Sequence, residues 1–246
     1  MKLEFCKMNA SGNDFVIVKK SSVKSATNLS QLSLKLADRY FGIGCDQVIF
    51  YNYSGSGNNV EVEVYNQDGS EVSMCLNMLR CLMGYFNSSY GLQFCDISIL
   101  HSKLGHTKVS FSLEGGLVKI KCPPSTIKND IVNIGNVHKI IYHESEENPD
   151  FTSMKPSDEF NYSYVKLTGD RKIEVNTIER GVGYTLACGS AMAASVAYLH
   201  YLGKITNSAE VYTKGCNGTS VNFQLINGSW YMLGNYNVNF IGTINI

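Results

Sequence analysis

Two ten-residue stretches carry the residue types from which chemistry could be built: Asn66-Gln67-Asp68-Gly69-Ser70-Glu71-Val72-Ser73-Met74-Cys75 and Glu179-Arg180-Gly181-Val182-Gly183-Tyr184-Thr185-Leu186-Ala187-Cys188. Each is polar, contains glycine and ends in a cysteine. Apolar residues then recur at helical spacing, as Leu79, Leu82, Met83 and Phe86 up to Gly91, and as Ala191, Ala194, Ser195, Tyr198 and Leu199 up to Gly203. Each sulfur is therefore expected at a loop-to-helix junction, beside the amide N–H groups of a first helical turn. Those groups lower a thiol's pKa from its free value of about 8.5 and can also hold an anion. One such thiol suits a general base and the other a general acid. On opposite faces of a carbon acid they would invert a stereocentre without redox change. The helix N-termini would stabilise charge spreading into an adjoining carboxylate. Two matching junctions suggest two similar halves with the thiols facing each other across a seam.

The elements that must position these stretches read as strands with one principal helix per half. Leu3–Met8 and Phe15–Val18 form a hairpin around Asn9–Asp14, and Leu29–Tyr40 is helical with Asn28 or Ser30 as cap. Val48–Tyr51 is a strand, and Val60–Tyr65 alternates strictly and delivers Asn66. Further strands are expected near 94–100, 108–113 and 117–121, with a domain boundary at Glu114-Gly115-Gly116. The second half continues with a strand region over 131–142 interrupted at Gly135-Asn136-Val137-His138, an acidic irregular stretch over 144–159, and strands at 161–167 and 172–178. Strands at 210–213, 219–226, 230–233 and 238–246 complete the chain.

Composition excludes several classes of function. The 246 residues suit one large domain or two small ones, and the twin decapeptides favour two. Hydrophobic residues make up 44%, which argues against wholesale disorder. With 21 basic and 21 acidic residues and no long basic run, nucleic acid is not an expected partner. No run of about 18 apolar residues and no signal-peptide pattern occurs, so a membrane association is not expected and the chain reads as cytoplasmic. The eight cysteines include no CxxC pair, which makes a metal site improbable and reduced, mostly buried thiols the default. No lysine has a Schiff-base context, so no cofactor is expected. Two rivals stay open: each cysteine as a structural residue, or one as a nucleophile served by His101, His106, His138, His143 or His200.

Nearly end to end, the chain resembles diaminopimelate epimerases. The resemblance rests on Lys7-Met8-Asn9-Ala10-Ser11-Gly12-Asn13-Asp14-Phe15, Gly42-Ile43-Gly44-Cys45-Asp46-Gln47, Asn66–Glu71, Glu179–Gly183 and Ala187-Cys188-Gly189-Ser190. It implies an α/β fold of the α+β type. Two pseudo-symmetric halves, 1–114 (joined by a returning last strand, about 237–246) and 115–236, would each wrap a curled mixed sheet around a central helix, with the active site in the cleft between them. It implies cofactor-independent interconversion of LL- and meso-diaminopimelate, a small-molecule substrate, in lysine and peptidoglycan precursor synthesis. A homodimer is one assembly left open. By motif, Cys75 and Cys188 are expected as the acid/base pair. Asn13, Gln47 and Asn66 are expected as substrate contacts. Leu76, Asn77, Gly189 and Ser190 are expected to cradle the reacting carboxylate, and Asn136, Asn161 and Arg180 to clamp the distal end. His138 and Glu179 are expected as polar neighbours of the thiols. A guanidinium suits the clamp because it binds a carboxylate in a bidentate fork.

The chain departs from the family pattern after the first cysteine, where Leu76 and Met78 stand in place of two glycines. Val137 also stands where a proline is usual, and the second helix lacks a further glycine. These departures keep two alternatives in view: a racemase for another amino acid, and a non-catalytic binding protein on the same scaffold.

Overall fold

The computed structural model describes residues 2–144 and 149–246. The chain divides into two compact units, Met1–Val118 with Tyr236–Ile246, and Lys119–Asn235. Of the expected irregular stretch over 144–159, residues 145–148 lie outside the described residues; the remainder includes a short 3-10 turn, Phe151–Ser153.

In the first unit, β1 (Lys2–Ala10) and β2 (Asn13–Lys19) pair antiparallel. The reversal is made by Ser11 and Gly12, both at positive φ (52° and 81°). Helix α1 (Leu29–Ala37) starts at Asn28, whose side chain accepts the Gln31 amide at 3.1 Å. It was expected to reach Tyr40 but ends at Ala37. There the Asp38 carboxylate takes the N–H groups of Tyr40 and Phe41, both at 2.7 Å, and turns the chain out of the helix. β3 (Gln47–Asn52) runs parallel to β2, and β4 (Asn59–Asn66) antiparallel to β3. Helix α2 (Leu76–Tyr90), closed by Gly91 at φ 72°, leads to β5 (Phe94–His101), parallel to β4, and then to β6 (Gly105–Glu114), antiparallel to β5. The C-terminal strand Asn237–Asn245 pairs antiparallel with β1.

Both faces of this sheet are covered, which explains why Phe15-Val16-Ile17-Val18 is a continuous buried run rather than an alternation. Val16, Val18, Val48 and Phe50 pack with Leu32 and Leu36 of α1. Helix α2 packs on β1, β2 and β6, with Phe86 edge-on to Tyr51 at 5.4 Å.

β7 (Leu117–Lys121) crosses the boundary between the units. In the second unit, β8 (Thr126–Lys128), a strand the sequence did not suggest, pairs antiparallel with β9 (Ile131–Asn133). β9 in turn pairs antiparallel with β10 (Val137–Tyr142). The expected interruption is shorter than the sequence suggests. It is a tight turn at Gly135 (φ 92°), and Val137 and His138 belong to β10, opposite Asn133 and Val132. β11 (Asn161–Leu167) is parallel to β10, and β12 (Lys172–Glu179) antiparallel to β11. β13 (Gly183–Thr185) folds back on β12. Helix α3 (Gly189–Tyr201) follows, then β14 (Ser208–Tyr212), parallel to β12. β15 (Val221–Ile226) and β16 (Ser229–Gly234) extend the sheet antiparallel. α3 is apolar nearly all round and packs on β9 to β12 and β16.

The two units thus share one pairing sequence: antiparallel, parallel, antiparallel, parallel, antiparallel. In both, the helix that starts at a cysteine occupies the second parallel crossover. The fold is α+β, with mixed sheets and few helices.

Gly84 of α2 fixes how that helix is seated in its unit. A Cβ built there would lie 2.2–2.4 Å from the ring of Tyr236. Alanine favours a helix over glycine by about 1 kcal/mol, yet overpacking costs roughly 1–3 kcal/mol. Gly84→Ala is therefore expected to lower stability in chemical denaturation, and Tyr236→Ala in the same chain to recover part of the loss.

Candidate active site

Both decapeptides place their cysteine at the N-cap of a helix. Cys75 precedes α2 with extended backbone angles (φ −151°, ψ 116°), and Cys188 precedes α3 likewise (φ −117°, ψ 115°). Each backbone carbonyl opens its helix, accepting from Leu79 at 3.2 Å and from Met192 at 3.1 Å. Neither side chain caps. A serine or aspartate here would spend its oxygen on the first-turn amides; a thiol does not.

Cys6, Cys45, Cys81, Cys95 and Cys122 are buried, as Cys188 also is, and lie away from the helix starts; desolvation pushes their thiols up, to about 11 for Cys6 and about 12 for Cys45, Cys95 and Cys122. These are packing residues, as expected for most cysteines in this chain.

In the first unit, Asn13 opens β2 beside the start of α2. Its Oδ1 accepts from the Cys75 thiol at 3.7 Å and from Asn77 Nδ2 at 3.4 Å. Its Nδ2 donates to Asp46 Oδ2 at 2.7 Å. Asp46 Oδ1 and Asp14 Oδ1 both accept from Arg39, at 2.8 and 2.9 Å, and Lys7 pairs with Asp14 at 3.0 Å. Hydrogen bonds from Arg39 and Lys7 overcome the desolvation of Asp14 and hold its carboxyl below the ordinary range. On α2, the fully buried Arg80 donates to Asn77 Oδ1 at 2.6 Å and to Ser11 Oγ at 3.1 Å. Gln47 lies opposite Asn66 across β3 and β4 and donates to its Oδ1 at 3.0 Å. Asn66 in turn donates to Ser70 at 3.0 Å. Gln47 Oε1 is buried and accepts no hydrogen bond among the described residues. Leu76 and Met78 are buried, so neither replaced glycine leaves an exposed side chain at the helix start.

In the second unit the centre is Ser190. Its hydroxyl lies 3.3 Å from Cys188 Sγ, 3.0 Å from His138 Nε2, and 3.3 Å from Asn136 Nδ2, which donates to it. The other ring nitrogen of His138 meets Ser163 Oγ at 3.0 Å. Burial pushes the His138 pKa down to about 4, so the ring is neutral near pH 7. Asn161, opposite His138 in β11, donates to Val137 O at 3.3 Å and accepts the Arg180 backbone N–H at 2.9 Å. The Arg180 side chain is exposed and makes no ion pair with the described residues. Glu179 accepts from Thr185 Oγ1 at 2.7 Å, across the turn into β13. Gly189 begins α3 and is buried.

The repeat extends to the side chains. Phe15 faces Gln47 as His138 faces Asn161, so Asn13 and Asn136 occupy equivalent positions two residues upstream. Each reaches the second residue of its helix, Asn77 or Ser190. Asn66 and Glu179 each end a strand nine residues ahead of a cysteine. Expected site residues therefore gather in two sets: Asn13, Cys75 and Asn77, with Gln47 and Asn66 as a linked pair, and Asn136, His138, Cys188 and Ser190, with Asn161 and Arg180 joined through the backbone. Sequence reasoning missed Asp46, Arg80 and Ser163. Asp46 and Arg80 sit inside or directly after the quoted motifs, which was the available signal. Among the described residues no cluster of His, Cys, Asp and Glu could hold a metal ion, and no helix is long and apolar enough to cross a membrane.

Comparison with known proteins gives concordant results. The family model "Diaminopimelate epimerase" matches residues 5–140. The diaminopimelate epimerase of Rickettsia akari (strain Hartford) is 33% identical over 222 residues, covering 80% of this chain and 81% of that protein. That of Methanocaldococcus jannaschii is 28% identical over 285 residues, covering 94% and 95%. Among solved structures, a phenazine biosynthesis protein of the PhzF family from Enterococcus faecalis superposes with a TM-score of 0.73 at 10% identity over all of both chains. A hydroxyproline epimerase from Agrobacterium vitis with bound trans-4-hydroxy-L-proline gives 0.68 at 9% identity, covering 99% and 92%. At such low identity these two share the fold alone. The protein is an isomerase, an epimerase acting on a small molecule. The chain belongs to the diaminopimelate epimerase family.

The buried His138 sets a pH dependence. Its folded pKa lies below the unfolded value of about 6.5, so the unfolded chain binds the extra proton first as pH falls. The stability held above pH 6.5 is lost progressively down to about 4. His138→Gln is expected to flatten denaturation free energy between pH 6.5 and 4 relative to the parent, by on the order of 1 kcal/mol per pH unit. Parallel curves for both proteins would contradict this.

Proposed function

We propose that this epimerase interconverts LL- and meso-2,6-diaminopimelate without a cofactor, with Cys75 and Cys188 as its acid/base pair, in lysine and peptidoglycan precursor synthesis. The observation that carries the reading is the repetition of one device. In each unit a cysteine occupies the N-cap of a helix in the second parallel crossover, and its side chain is not used as a cap.

In this reaction one sulfur, as thiolate, takes the α-proton and becomes a thiol. The other, as thiol, delivers its proton to the opposite face of the α-carbon and becomes a thiolate. Proton and charge balance in each direction, and the enzyme alternates between two protonation states. The transient negative charge spreads into the α-carboxylate, which the first-turn amides after the two cysteines are suited to meet. The exposed guanidinium of Arg180 suits the distal carboxylate, with Asn136 and Asn161 as polar neighbours. Cys188, Ser190 and neutral His138 form a hydrogen-bonded chain through which the second thiol's charge can be tuned.

The test is conversion of LL-diaminopimelate by reduced protein, followed by chiral chromatography, beside Cys75→Ser and Cys188→Ser. The parent is expected to form the meso isomer, and each variant to lose about a hundredfold or more in rate. Parent activity only on another amino acid would point to a racemase with a different pocket. Binding of diaminopimelate with no conversion would point to a binding protein, for which buried Leu76 and Met78 would be the first suspects.

A further inference from the structure

We propose that Asp46 is a positioning residue that fixes the rotamer of the Asn13 amide so that its carbonyl, and not its NH2, faces Cys75. The importance of this for catalysis rests on the function proposed above; the contact itself does not. Which way an asparagine amide points is decided by its partners, and here they leave one solution. Asp46 Oδ2 accepts the backbone N–H of Asp14 at 3.2 Å, and Asp46 Oδ1 accepts from Arg39 at 2.8 Å. A carboxylate so engaged is an acceptor on both oxygens. The Asn13 atom 2.7 Å from Oδ2 must therefore be the donor Nδ2. Oδ1 is left on the other side, where it meets two donors, the Cys75 thiol at 3.7 Å and Asn77 Nδ2 at 3.4 Å. Asn77 is fixed in the same sense, because the Arg80 guanidinium can only donate and takes its Oδ1 at 2.6 Å.

The consequence concerns protonation. An acceptor aimed at the sulfur favours the thiol over the thiolate, whereas an amide NH2 turned to the same place would favour the thiolate. The charged and titratable groups described around this contact include Asp46 and Arg39 beside Asn13, Asp14, Lys7 and Cys6 on the two strands, and Arg80 and Cys81 on α2. Asp46→Asn removes the stronger constraint, since the new amide can donate to a flipped Asn13, and leaves only the longer 3.4 Å contact from Asn77 Nδ2 to hold the original rotamer. It also removes a negative charge, and the two effects must be separated.

The experiment is the pH profile of Cys75 alkylation by iodoacetamide in the reduced full chain without substrate, read at that site by mass spectrometry. It needs no turnover, so its failure is distinct from failure of the proposed reaction. Asp46→Asn is expected to shift the Cys75 profile toward acid by about half to one unit. In an Asn13→Ala chain the same substitution is expected to add little, because Asp46 acts through Asn13. A shift that persists undiminished in Asn13→Ala would show a through-space charge effect and overturn the proposal, as would an unchanged profile in a folded Asp46→Asn protein. If that variant does not fold, side-chain amide NMR of the parent decides. Strong contacts from the Asn13 NH2 protons to the Asp14 amide proton support the proposal, and strong contacts to the Cys75 β-protons contradict it.

Discussion

A helix leaves its first-turn amides without partners inside the helix, and something must accept from them. In this protein the residue best placed to do so is, in both units, a cysteine whose side chain does not cap. The rest of each unit depends on that constraint. The strand before the motif delivers the loop, the glycines at φ 78° (Gly69), 72° (Gly181) and 104° (Gly183) reverse it, and the buried helix behind it holds the N-terminus still. Each helix start presents its first-turn amides beside a sulfur.

The two units carry one framework with different chemistry. Around Cys75 the supports are charged: Lys7, Asp14, Arg39 and Asp46 on one side of Asn13, and buried Arg80 on the other side of Asn77. Around Cys188 the hydrogen-bonded supports described include Ser190, His138 held uncharged by burial, Ser163 and Asn136. In the reaction proposed above the two thiols hold opposite protonation states, which unlike surroundings would serve. The backbone repeat supplies equivalent positions, and the side chains at those positions make them inequivalent.

Much of this was legible in the sequence because it is local. The cysteines at helix starts follow from apolar spacing after each decapeptide, and the β1–β2 hairpin from its turn residues. The strand delivering Asn66 follows from strict alternation. What was not legible depends on contacts distant in the chain. Asp46 reaches Asn13 across 33 residues, and His138 meets Ser163 across 25 and Ser190 across 52; no spacing rule announces such pairs. Gly135-Asn136 before His138 reads in the sequence as a strand interruption, yet His138 pairs within β10. The early end of α1 was written in Asp38, whose short side chain competes for backbone N–H groups, but helical apolar spacing outweighed it. Leu76 and Met78, which stand where the family pattern has glycines, are both buried, a placement that their position in the sequence alone does not give.

The central claim is that two thiols, not one, carry the proton. The most direct measurement is the position of deuterium at early conversion, when LL-diaminopimelate is turned over in D2O and both isomers are read by NMR. With one base on each face, the meso product is expected to carry solvent deuterium at its inverted α-carbon while the remaining LL substrate stays protiated. Protium carried from substrate into product, or deuterium entering substrate as fast as product, would show a single shuttling base and contradict the account.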